Sequence, residues 1–159
     1  MTTAPHSFHQ WIVRRLERYI GIPAEDQYLA FSFAAPIGVL MPGCAPVQPD
    51  YVVVLASRPE LFQNGRIVGV PDMIVEVLSS GNAAYDLDIK LEAYARAGVP
   101  EYVVVDPRAR TLAHRRLEAR GRYFAEREFS SYNRVALDCL PTISFVVGDL
   151  FTGAPDPLP

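Results

Sequence analysis

The order of apolar patterns along this 159-residue chain predicts an α/β sandwich built around a mixed β-sheet. Two segments repeat apolar residues at helical spacing, and short continuous apolar runs typical of buried strands lie between and after them. A charged, weakly alternating hairpin follows, which suits an exposed sheet edge. Because helices and strands do not alternate regularly, the pattern does not indicate a βαβ array.

The first element is predicted as a helix over Phe8 to Ile20, since its apolar residues recur on one face with arginines opposite. Ser7 is expected to cap its start, and Gly21 with Pro23 is expected to end it. The β-branched and aromatic stretch from Tyr28 to Val39 predicts one strand and a turn.

Three apolar runs then predict strands that are buried on both faces, because they show no alternation. They are Tyr51–Leu55, Met73–Leu78 and Tyr102–Val105. A polar connection is expected over 57–69. A helix is predicted from about Asp86 to Arg96, and Gly98 suits the position just past its end.

The rest of the chain predicts a hairpin over 111–129 and no further domain. Half of the residues are apolar, which is enough for one sizeable core. We therefore expect a single domain over residues 1–159, with its core over about 8–151. The ends, 1–7 and 153–159, are expected to be frayed.

Composition excludes several functional classes. The net charge of −3 gives no global sign of nucleic-acid binding, so any such surface must be local. No apolar run is long enough to cross a bilayer, and phosphate-binding glycine loops are absent. The two cysteines lie far apart and are predicted to be reduced, which fits a soluble cytoplasmic protein.

Two acids occupy unusual positions, because their neighbours are apolar. Asp50 directly precedes one predicted buried strand, and Glu76 lies inside the next. Lys90, the only lysine of the chain, falls on the helix flank that borders its apolar face. Two acids on adjacent strands with a lysine from a covering helix form a set that can bind Mg²⁺ and activate a water.

Structural interpretations of these residues remain open at this point. Asp50 and Asp72 both follow proline, so each could serve turn chemistry at a strand start. Glu76 and Lys90 could form a plain buried ion pair. Asp86 could serve as a helix cap and nothing more, and His9 on the first helix could be a core histidine.

Taken together, these residues resemble the Uma2 family, also called DUF820, of the PD-(D/E)xK nuclease superfamily. The similarity covers about Phe8 to Phe151 and is most specific from Pro71 to Pro107. It implies a restriction-endonuclease-like core in αβββαβ order, with a mixed sheet flanked by helices and an added C-terminal hairpin. It also implies a hydrolase that acts on DNA with Mg²⁺ or Mn²⁺.

The resemblance assigns roles residue by residue. Asp50 and Glu76 match the metal-binding acids, and Lys90 matches a lysine that the family carries on the following helix. The usual lysine position of the superfamily, two residues after the second acid, is Leu78 here. Asp72, Asp86 and His9 match further positions of the family and are expected to act as outer partners of the metal ligands. With these roles, the resemblance implies a metal-dependent endonuclease.

An alternative from another class is a nuclease fold without activity, which serves in binding or dimerisation. In that case Glu76 and Lys90 would be a structural ion pair. The acidic pI, the absence of a basic stripe and a start shorter than the family's usual N-terminal hairpin favour this alternative. A homodimer that pairs through an edge strand is compatible with either hypothesis, and no membrane partner is expected.

Overall fold

The computed structural model describes residues 6–79, 83–124 and 126–157. The strands are β1 (Ala30–Ala34), β2 (Val39–Leu40), β3 (Tyr51–Leu55), β4 (Phe62–Gln63), β5 (Arg66–Val68), β6 (Met73–Val77), β7 (Glu101–Asp106), β8 (Thr111–Arg116), β9 (Arg127–Phe129), β10 (Arg134–Ala136) and β11 (Ser144–Val146). A six-stranded mixed sheet in the order β1-β3-β6-β7-β8-β9 forms the centre. In the central sheet only β6 and β7 run parallel, and they are joined by a helix. The predicted α/β class with a mixed sheet is confirmed.

The N-terminal helix differs from the prediction at both ends. Helix α1 (Ser7–Leu16) is capped by the side chain of His6, and a π-helical turn (Glu17–Gly21) leads directly into α2 (Ile22–Asp26). Gly21 therefore does not end the helix. A Cβ atom there would lie 2.5 Å from the hydroxyl oxygens of Ser32 and Tyr51, so the glycine permits close packing on the sheet.

The central strands β3, β6 and β7 are buried on both faces, as their apolar runs predict. Phe8, Ile12 and Leu16 of α1 pack against one face together with the C-terminal segment. The other face is covered by α3 (Ala83–Ala97), whose Tyr94 is fully buried, and by the small sheet β2-β5-β4. Every residue of β6 is buried, Glu76 included.

The connection over 57–69 is ordered. It contains a 3₁₀ turn (Pro59–Leu61) and the hairpin β4–β5. Asn64 and Gly65 in its two-residue turn both have positive φ, the backbone conformation that favours Asn-Gly in such hairpins.

Helix α3 begins before the predicted Asp86 and ends at Ala97, with Gly98 at a φ of 91° just past it. Of the loop predicted after β6, residues 80–82 lie outside the described residues. None of the described helices is long and apolar enough to span a membrane.

The C-terminal segment packs back onto α1. A 3₁₀ turn (Val147–Leu150) follows β11, and the indole nitrogen of Trp11 donates to the carbonyl oxygen of Thr152 at 3.2 Å. The Ser7 hydroxyl contacts Asp156 at 3.3 Å. Fraying of the ends over 1–7 and 153–159 stays a prediction, and residues 1–5 and 158–159 lie outside the described part of the chain.

Candidate active site

Asp50 and Glu76 are brought together by the antiparallel pairing of β3 and β6. The pairing places Tyr51 opposite Val75, so one residue further along Asp50 is opposite Glu76. Directly opposite residues point to the same face, with Cβ atoms about 5 Å apart. The two carboxylates are therefore neighbours, with Glu76 in contact with α3 and Asp50 in contact with His9 of α1.

Asp50 is held in one orientation by two contacts at the same carboxylate oxygen. The backbone N–H of Val77 donates to Oδ2 at 2.8 Å, and His9 Nε2 lies 3.2 Å from the same atom. Burial alone would raise the pKa of Asp50, but these contacts and the charge of Lys90 outweigh it, so the pKa lies below its usual value. Asp50 is therefore ionised at neutral pH.

Glu76 has only partial compensation for its burial. Its Oε1 accepts from the Tyr94 hydroxyl at 2.6 Å, and its Oε2 accepts from Lys90 Nζ at 3.2 Å. Burial nevertheless raises the pKa of Glu76 to about 7, with the nearby charge of Asp50 adding to the rise. Burial of Glu76 thus outweighs the stabilisation that Lys90 and Tyr94 give to its ionised form.

Lys90 reaches this pair from α3. Its Nζ atom lies 3.2 Å from Glu76 Oε2 and 3.1 Å from Asp86 Oδ2, with Asp86 one helical turn earlier and largely exposed. Burial alone would lower the pKa of Lys90, but the two acids raise it above the usual value. Lys90 is therefore an ammonium ion fixed over the carboxylate pair.

Asp72 is not part of this group. Its Oδ2 accepts from the backbone N–H of Leu55 at 2.8 Å, and its Oδ1 pairs with Arg58 at 2.9 Å. Leu55 ends the strand that Asp50 precedes, so Asp72 lies at the opposite end of the β3–β6 pair. The structure thus gathers Asp50, Glu76, Lys90, Asp86 and His9, and leaves Asp72 with a local structural contact.

Tyr94 of α3 joins the group through its hydroxyl, although its ring is part of the core. The i, i+4 spacing from Lys90 is the one signal that could have placed its hydroxyl near the same acid. Its ring packs edge-on against Tyr102, with ring centroids 5.2 Å apart. That packing fixes the direction of the hydroxyl toward Glu76.

A second cluster of metal-ligand types lies elsewhere on the sheet and was not found from the sequence. Ligand atoms of Glu101, His114 and Asp138 lie within 4.8 Å of one another. Glu101 already accepts from His114 at 2.7 Å and from the backbone N–H groups of Asp138 and Cys139. His114 Nδ1 is engaged by Arg127 at 3.0 Å.

The atoms of Glu101 and His114 are thus occupied by protein partners, and this cluster ties the 138–139 segment to β7. The hydrogen bonds also keep the pKa of Glu101 low despite its burial, which by itself would raise it. We interpret the cluster as a structural network. The one sequence signal for this network was the position of Glu101 before an apolar run, like that of Asp50 before β3.

Comparison with known proteins places the chain in a family. The family described as "Putative restriction endonuclease", Uma2, matches residues 1–148. The chain belongs to the Uma2 family. This agrees with the resemblance inferred from the residues around β3, β6 and α3.

Structural similarity supports the Uma2 assignment at the level of fold. A crystal structure of a putative nuclease belonging to DUF820 from Anabaena variabilis ATCC 29413 has a TM-score of 0.78 and 20% identity. The match covers 96% of this chain and 84% of that one. No match is found among curated proteins. The fold of this Uma2 protein is restriction-endonuclease-like.

Proposed function

We propose that this protein is a metal-dependent endonuclease that hydrolyses phosphodiester bonds of DNA. The observation that carries the proposal is the opposition of Asp50 and Glu76 on adjacent strands, with the Lys90 ammonium fixed against Glu76. The family description as a restriction endonuclease supports DNA as the substrate.

The donor set fits Mg²⁺ or Mn²⁺. Carboxylate oxygens are the hard ligands these ions prefer, and Asp50 and Glu76 would hold the ion together with a backbone carbonyl near Val77. The pKa of Glu76 is raised mainly by burial and further by the charge of Asp50, and a bound cation would favour the ionised carboxylate. When bound, the ion supplies Lewis-acid stabilisation of charge on the phosphate.

Lys90 has the donor capacity to position the attacking water. An ammonium carries three N–H donors, and its contacts with Glu76 and Asp86 use two of them. Among the described residues no other acid pairs with Lys90, so the third donor is left for a water or a phosphate oxygen. The positive charge offsets the charge that develops on the phosphate. Asp86 thereby acts through Lys90, as an outer partner.

His9 and Tyr94 orient the two acids. His9 and the Val77 N–H both contact Oδ2 of Asp50, and no residue in the described part of the chain donates to its Oδ1, so that oxygen is left for a ligand. Tyr94 holds Oε1 of Glu76 in the same manner. Partners of this kind change metal affinity about 10- to 100-fold in other proteins.

A second candidate function is a binding module without catalysis. The closed contact of 3.2 Å between Lys90 and Glu76 favours it, because a structural ion pair would have the same geometry. For either function we propose a cytoplasmic location, where the free thiols of Cys44 and Cys139 would stay reduced.

Calorimetric titration with Mn²⁺ tests the metal site. We expect wild type to bind and Glu76→Ala to lose binding by at least about 10-fold, since a direct ligand is removed. Glu92→Ala removes an exposed acid of the same helix and is the matched control. Equal affinity in wild type and Glu76→Ala would contradict the assignment of Glu76.

Cleavage of supercoiled plasmid with Mn²⁺ separates the two functions. We expect Lys90→Ala to bind metal but to lose cleavage, while Arg96→Ala, which removes an exposed charge of α3, keeps it. Cleavage that persists in Lys90→Ala would point to a contaminating nuclease. A wild type that neither binds metal nor cleaves would favour the binding module.

A further inference from the structure

The outer edge of β1 is an open end of the central sheet. β1 pairs with β3 on one side and is the last strand on the other. Backbone bonds between Ala35 and Asp50, and between Ala56 and Leu29, show that odd-numbered residues of β1 bond to β3. The N–H and C=O groups of Ala30, Ser32 and Ala34 therefore point outward. Within the described residues, no hydrogen bond reaches them on that side.

β1 also lacks the features that protect edge strands. It contains no charged residue and no proline, and its sequence is Ala-Phe-Ser-Phe-Ala. Phe31 and Phe33 are 44% and 41% exposed. Their rings pack on Phe62 with centroids 5.4 and 5.6 Å apart, which makes an apolar patch beside the open edge.

The sequence of β1 reads the same in both directions from Ser32, so the strand matches an antiparallel copy of itself. We propose that β1 pairs antiparallel with β1 of a second copy of this chain, about a twofold axis at Ser32. Ser32 then forms a hydrogen-bonded pair with Ser32 of the second copy, which uses the outward groups. Phe31 stands opposite Phe33 of the second copy in the closer, non-hydrogen-bonded arrangement, so four phenylalanines meet.

The opposite face of the strand permits this pairing. The Ser32 hydroxyl donates to Glu17 Oε2 at 3.2 Å, and Ala30 is buried in the core beneath. Both side chains are thus directed into their own subunit. A palindromic strand satisfies the requirement of a twofold interface that the same patch be complementary to itself.

The pairing has a consequence for the proposed nuclease site, and this consequence alone depends on the proposed function. A twofold axis perpendicular to the joined sheet leaves both sites on the same side. Asp50 lies opposite Ala35, three residues from the axis and one strand inward. In a flat sheet the two Asp50 residues would be about 25 Å apart. One duplex could contact both sites.

Sedimentation velocity of the whole protein tests the pairing without any activity measurement. We expect wild type to sediment at about twice the chain mass of 17.7 kDa, and Phe31→Lys/Phe33→Lys at the chain mass. The control is Phe124→Lys/Tyr132→Lys, which changes two exposed aromatic residues elsewhere and should remain dimeric. Circular dichroism verifies that each variant is folded.

Cross-linking tests the register. In a background without Cys44 and Cys139, Phe31→Cys and Phe33→Cys proteins are purified separately and then mixed under mild oxidation. Because position 31 stands opposite position 33, the mixture should form disulfide-linked dimers much faster than either protein alone. Equal rates, a monomeric wild type, or a dimer that survives the double lysine substitution would each overturn the proposal. None of these results depends on nuclease activity.

Discussion

Replacing Glu76 by glutamine should make the metal-free protein more stable at alkaline pH. The folded structure raises the pKa of Glu76 from an ordinary value of 4.5 to about 7, mainly because the carboxylate is buried. Between these two values the folded protein binds more protons than the unfolded chain. The contribution of Glu76 to stability therefore falls as pH rises from about 4.5 to about 7, and stays low above that.

The size of the effect follows from the two pKa values. A pKa unit corresponds to about 1.4 kcal/mol, so ionised Glu76 costs about 3 kcal/mol at a pH well above 7. Glutamine has nearly the same shape and no charge to bury, and its carbonyl oxygen can still accept from Tyr94. We expect the free energy of unfolding of Glu76→Gln to exceed that of wild type by about 3 kcal/mol near pH 9 and to approach it near pH 4.

Urea unfolding in EDTA measures this difference, with Trp11, the single tryptophan, as a fluorescence probe. Glu92→Gln serves as the control, because that side chain is exposed on α3. A Glu76→Gln protein no more stable than wild type near pH 9 would refute the reasoning. Added Mg²⁺ should narrow the gap by stabilising only wild type, by about 2.7 kcal/mol at 100 times its Kd.

Three further predictions concern residues outside the carboxylate pair. Asp72→Asn should lower stability by about 1–3 kcal/mol, because it weakens the bonds to Arg58 and the Leu55 N–H, yet leave Mn²⁺ affinity unchanged in calorimetry. Glu101→Gln should lower the free energy of unfolding by about 3 kcal/mol at neutral pH, since the buried carboxylate accepts from two backbone N–H groups. Urea unfolding should show that this loss shrinks on acidification below about pH 4. Gly21→Ala should lower the unfolding temperature by several degrees, because its Cβ meets atoms at 2.4–2.5 Å, whereas Gly121→Ala, at a turn with open space, should cost only its backbone strain.

Much of the fold follows from local pattern. β3 and β6 are identifiable because their apolar residues occupy successive positions, interrupted in β6 only by Glu76, whereas a half-buried strand would alternate apolar and polar residues. The end of the first helix was predicted wrongly because Gly21 and Pro23 are read locally as breakers. Their real context is tertiary: a close approach of the sheet requires the glycine, and Pro23 lies in the first turn of α2, where no N–H is needed.

The candidate site, like the fold, could be predicted from the sequence only where a local pattern marks it. An acid inside a buried strand signals a site by itself, because the cost of burying its charge must be compensated by something. The Glu101 network was missed because two of its partners are backbone N–H groups 37 and 38 residues away, and these have no residue type to recognise. The contact of the Tyr94 hydroxyl with Glu76 could not be predicted from the sequence, since the direction of a hydroxyl depends on the packing around its ring.

The position of the lysine also has a structural explanation. Leu78 follows the last residue of β6, and its backbone N–H donates to Val105, so the chain is still in the sheet there. The helix that follows passes over Glu76. Lys90 on that helix can therefore place its ammonium on Glu76 from above, with Asp86 one turn earlier.

Asp50 is the residue that distinguishes a metal site from a structural ion pair. A buried pair of Glu76 and Lys90 needs no second acid, and a second carboxylate opposite Glu76 raises the pKa of Glu76 further. The protein nevertheless holds Asp50 ionised there by directing His9 and the Val77 N–H at one of its oxygens. A second carboxylate that is held ionised beside a buried one is expected where a cation must bind.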